Sequence, residues 1–160
     1  MTLDATLLEK LANWRPPRDG RQNFAVADEG AGWTAAITAD RHDDLGTSVW
    51  EMNLQRSHAL TRTHYDLKNW AHRAAGRVTG LLEPLLVVEV DSQRDEALLR
   101  SNQPRERGMD LYYYEALLKG VTEATVRRYH GSREGGRREQ VPFTLTHETL
   151  AQFAADLVSD

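Results

Sequence analysis

At 160 residues, with 40% hydrophobic and 28% charged side chains, the chain has the composition of a single folded domain over 1–160 and not that of a disordered segment. It contains no cysteine, which excludes disulfides, thiolate nucleophiles and thiolate metal sites, and no apolar run near the roughly 18 residues of a membrane helix. The net charge of −4 argues against a polyanion binder acting through its whole surface, yet residues 94–138 hold ten Lys/Arg against seven Asp/Glu.

Met1-Thr2-Leu3-Asp4 lacks the basic and apolar regions of a signal peptide, so the expected location is cytoplasmic, with no membrane partner. Leu3, Leu7, Leu8 and Leu11 recur at helical spacing and predict a first helix over Leu3–Asn13. Pro16-Pro17 ends it, because a proline pair cannot continue a helix. Phe24 and Val26, then Trp33, Ala35 and Ile37, alternate with polar or small residues on either side of Glu29-Gly30-Ala31-Gly32. This is a hairpin of strands over Gln22–Asp28 and Trp33–Ala39. Trp50, Met52 and Leu54 alternate in a third strand, Thr47–Arg56. Thr63 and Asp66 form a capping-box-like start to a second helix, whose apolar stripe is Leu67, Trp70, Ala71, Ala74, Val78 and Leu81.

Leu81–Leu145 reads as five strands: Pro84–Val90, Glu96–Ser101, Asp110–Lys119, Thr122–His130 and Glu139–Leu145. Asp110–Lys119 carries large residues on both faces and is expected to be central. Pro142 lacks an amide donor, which marks the last strand as an edge or bulged one. Thr146 caps a final helix with the apolar face Leu150, Phe153, Ala154, Leu157 and Val158. The order α-β-β-β-α-β-β-β-β-β-α has no sustained β-α-β alternation. The predicted class is α+β, an antiparallel sheet with helices packed on one side. In element order this resembles the small acidic dimeric chaperones of type III secretion, although the second half has more strands than that pattern.

Gly30-Ala31-Gly32-Trp33-Thr34-Ala35 matches a dinucleotide-loop spacing, but period-two alternation follows it where a helix is needed to meet a pyrophosphate. Asp40-Arg41-His42-Asp43-Asp44 has Leu45 where a calcium loop needs Gly, and reads as a solvated turn. His64, Lys68 and His72 share a helical stripe, with a cation between the two imidazoles and no third ligand. No cofactor, metal or catalytic residue is expected on these grounds, and whether the chain is an enzyme stays open.

The strongest local signal is basic. Arg127, Arg128, Tyr129, Arg133, Arg137 and Arg138 flank a Gly-rich tip, and Arg105 and Arg107 lie in a polar loop able to join the same surface. Such a hairpin suits phosphate or nucleic-acid contact, or the protection of a sheet edge. Among Tyr112-Tyr113-Tyr114, the outer two share one strand face and Tyr113 takes the other. The leading expectation is a protein-interaction or assembly module, with a partner protein or a homodimer. The alternatives are a nucleic-acid or phosphate-ligand binder through 127–138, and a small-molecule enzyme with a pocket between sheet and helix.

Overall fold

The computed structural model describes residues 2–17, 19–57, 66–81 and 83–158. Helix α1 (Leu3–Asn13) buries Leu3, Leu7 and Leu11 and stops before Pro16-Pro17. Strands β1 (Gln22–Asp28) and β2 (Trp33–His42) form the expected hairpin. In its turn the Asp28 carboxylate accepts from the Ala31 amide at 2.9 Å, and Gly32 takes φ +77°, a conformation that favours glycine. Strand β3 (Gly46–Arg56) follows a turn in which the Asp43 carboxylate accepts from the amides of Leu45 and Gly46.

Helix α2 (Leu67–Arg77) starts later than the capping-box reading implies. Asp66 is itself the N-cap and accepts from the Asn69 amide at 2.8 Å, while Thr63 lies outside the described residues. Strands β4 (Leu85–Asp91), β5 (Glu96–Ser101), β6 (Arg105–Arg107), β7 (Asp110–Lys119), β8 (Glu123–Ser132), β9 (Glu139–Val141) and β10 (Phe143–Thr146) follow. Helix α3 (His147–Val158) closes the order, with the Thr146 hydroxyl accepting from the Thr149 amide at 3.2 Å.

The ten strands among the described residues form one antiparallel sheet, with the path β1-β2-β3-β8-β7-β5-β4 and with β6, β9 and β10 branching from it, and the α+β class with helices on one side is what the chain adopts. Two further details, in the strands, differ from the sequence reading. Arg105–Arg107, read as loop, is a short strand that pairs with the start of β7 and continues the line of β5. The strand containing Pro142 is not continuous: it breaks there into two short strands, each paired on one side only. It enters a fork where β3 and β8 diverge: β9 pairs with β8, and β10 pairs with β3. Pro142, with no N–H to donate, stands where the pairing changes sides. Gly46 allows the close approach of β10, since a Cβ there would lie 2.6 Å from the Leu145 carbonyl oxygen.

Alternation puts Ala35, Ile37, Met52, Leu54, Leu99, Ala116, Leu118, Ala124 and Val126 on one face, fully buried. α2 packs on β4, β5 and β7, α3 on β3 and β10, and α1 on β1 and α3. Trp70 is fully buried at the centre of this layer, and its indole N–H donates to the Leu157 carbonyl at 2.7 Å. The alternate residues form a second sheet face that none of the described helices covers. Among the described residues no helix is long and apolar enough to cross a membrane.

Candidate functional site

The uncovered face gathers most of the chemistry. Register places Tyr113 opposite Tyr129, Glu115 opposite Arg127, and Arg100 opposite Glu115, all pointing away from the helices. Glu115 is only 5% exposed although no helix lies over it. Its cover is guanidinium: Arg138 reaches it with a hydrogen bond of 2.8 Å to Oε2 and a shorter one to Oε1, and Arg100 donates at 3.3 Å. The Arg138 guanidinium lies 3.8 Å above the Tyr129 ring. Beside it, Arg127 Nε donates to Glu51 at 2.7 Å. Partial burial pulls the Arg138 pKa down, but the hydrogen bonds to Glu115 and Tyr113 outweigh it, and the net shift is upward. Arg127 shifts upward too: burial opposes the shift, and bonds with Tyr129 and Glu51 overcome it.

The same motif recurs on the N-terminal side of the face. Arg21 lies 3.7 Å over Trp50 and donates to Asp40 at 2.7 Å. The Gln140 side chain ties β9 to β3 by donating to the Trp50 carbonyl at 2.8 Å. Toward the other edge the face turns apolar. Leu98 stands opposite Leu117, Leu86 opposite Arg100, and on edge strand β4 Leu86 and Val88 are exposed.

The basic hairpin is thereby divided. Arg127, Tyr129 and Arg138 share the uncovered face. Arg128 does not join them: consecutive strand residues point to opposite faces, and Arg128 is buried on the helix side against Glu83 at 2.8 Å. Arg133 pairs with Glu106. Arg137, Arg105 and Arg107 are exposed and form no ion pair among the described residues. The tyrosines divide as alternation requires, with Tyr113 on the open face and Tyr114 buried beneath the Arg128 guanidinium at 4.3 Å.

Sequence reading missed two histidine sites. His130 bridges Asp110 at 2.8 Å and Glu139 at 3.0 Å and stacks on Tyr112. Those bonds, Glu139 first, raise its pKa. His42, read as part of a solvated turn, points inward. Its Nε2 donates to the Leu11 carbonyl at 2.9 Å, which leaves Nδ1 to accept from the Thr47 hydroxyl at 2.8 Å. Its ring stacks on His147 at 4.8 Å. Burial, then the neighbouring His147, lower its pKa. His42 and His147 lie 105 residues apart, so the sequence gives no local signal for that stacking. The Gly30–Ala35 segment runs into a strand, as alternation indicated, and Lys68 and His72 lie exposed on α2, with His64 outside the described residues.

The chain matches no family model, no curated protein and no solved structure, so the likeness to secretion chaperones rests on element order alone.

Proposed function

We propose that the chain is a protein-interaction module that docks through its uncovered sheet face, with a second copy of itself as the first partner to test. One observation carries this reading. The face displays Trp50, Tyr113 and Tyr129 held by Arg21, Arg138 and Arg100, and tryptophan, tyrosine and arginine are the residue types that dominate protein-interface energetics. Stacking and ion pairing fix these side chains before any partner arrives, which lowers the entropic cost of ordering them. The apolar margin of Leu86, Leu98 and Leu117 adds desolvation area beside them.

Charge favours protein over nucleic acid as the partner. On the face, Arg21 is matched by Asp40, Arg127 by Glu51, and Arg100 and Arg138 share Glu115. Such paired arginines release few counterions from a phosphate backbone, and two copies of a nearly neutral face meet without net repulsion. The test is sedimentation velocity over about 1–100 μM, the range in which an interface of standard size associates. The wild type is expected to run as a dimer, and Tyr129→Ala with Trp50→Ala as a monomer of unchanged fold. A monomeric wild type that instead binds oligonucleotides at low salt would replace this reading with the nucleic-acid one.

A further inference from the structure

A cavity of about 290 Å³ opens on the helix side of the sheet, away from the face just described. Its walls come from the α2–β4 connection (Leu81, Glu83), from Arg105, Tyr114 and Arg128, and from the fork strand around Pro142 and Phe143. The polar part of the wall is rigid. The Tyr114 amide donates to the Ser101 hydroxyl at 2.8 Å, and that hydroxyl donates to Glu83 at 3.0 Å. Glu83 then accepts from both terminal nitrogens of Arg128, at 3.2 and 2.8 Å. Two of the five N–H donors of Arg128 are spent in this way, and three are left by Glu83. Arg105 lines the cavity, is exposed, and pairs with no carboxylate among the described residues.

We propose that this cavity binds a small monocarboxylate with an apolar body. The charges decide the class. Two arginines face one glutamate, so the lining carries one uncompensated positive charge, which one carboxylate neutralises. An amine gains nothing there, because Arg128 already neutralises Glu83 and Arg105 repels a second cation. The remaining wall of Leu81, Phe143 and the Tyr114 ring suits an aromatic or branched hydrocarbon. Burial holds the Tyr114 hydroxyl above the usual tyrosine range, despite the opposing pull of Arg128, so it stays a neutral O–H donor. The volume lies at the lower end of ligand sites, which restricts the ligand to a small one.

The experiment is a calorimetric titration of the full chain with phenylacetate, its neutral isostere phenylacetamide and phenethylamine. Phenylacetate is expected to bind at least about tenfold more tightly than the amide, as one charge-assisted contact provides, and the amine not measurably. Arg105→Gln, at an exposed position, is expected to bring phenylacetate down to the amide level without moving Tm. Equal affinity for acid and amide, no saturable phenylacetate binding up to about 10 mM, or acid binding unaltered in Arg105→Gln overturns the proposal. Self-association is read separately by sedimentation, so failure here leaves the sheet-face reading standing.

Discussion

The two faces of the β7–β8 pair each gather an arginine, a tyrosine and a glutamate, in two different settings. On the helix side Arg128 stacks on Tyr114 and pairs with Glu83, and both charged side chains are about one-tenth exposed. On the uncovered side Arg138 stacks on Tyr129 and pairs with Glu115, but the arginine is 42% exposed. The first arrangement keeps little water and depends on its internal partners. The second keeps water at the cations, so its pairs are weak in energy and serve to hold side chains in place.

Substitutions that break this contrast differ most at the aromatic positions. Trp70→Ala is expected to cost roughly 3–5 kcal/mol, through a large cavity and a lost bond to the Leu157 carbonyl. Trp50→Ala, at a half-exposed site, is expected to cost about 1 kcal/mol while abolishing self-association. Denaturant unfolding of both variants, with sedimentation of the second, measures this, and equal stability losses would erase the distinction between the faces.

The ion pairs form the next comparison. Glu83→Ala leaves Arg128 buried without its counter-charge and is expected to cost about 3–5 kcal/mol, whereas Arg127→Ala, removing a pair with water access, is expected to cost less than about 1 kcal/mol. Glu115→Gln sharpens the point, because its carboxylate is buried while its arginine partners are not. Both arginines fall back on water, so a loss of about 1–2 kcal/mol is expected. A loss matching that of Glu83→Ala would show that burial of the acid alone sets the cost.

The smallest effects are those of pH, and they run in opposite directions at the two histidines. His42 has a folded pKa below the ordinary value near 6.5, so below that pH the unfolded chain takes up the proton first. Its contribution is present above about 6.5 and is lost as pH falls toward the folded value. His130, held above 6.5 by Glu139 and Asp110, binds its proton first in the folded chain. Its contribution is present below about 6.5 and is lost as pH rises through the raised value. Tm against pH for His42→Gln and His130→Gln, each subtracted from the wild type, should give slopes of opposite sign. Slopes of the same sign would contradict the geometry at one of the two sites.

The sequence by itself determined the helices, most strands and the α+β class. Those depend on local periodicity: the Leu3, Leu7, Leu11 stripe, the 33–39 alternation, and the Thr146 cap are legible within a few residues. It also determined that Tyr113 and Tyr114 point to opposite faces. Only the tertiary structure decided which partner each charge meets. Arg127 and Arg128 are adjacent, yet one pairs with Glu51, 76 residues away, and the other with Glu83, 45 residues away. Periodicity fixes the face a side chain takes, but not the strand that lies beside it or the helix above it. The fork at Pro142 shows the same limit. A missing amide marks where pairing must break, but the divergence of β3 and β8, set by the twist and packing of the whole sheet, decides that the strand fills the gap between them.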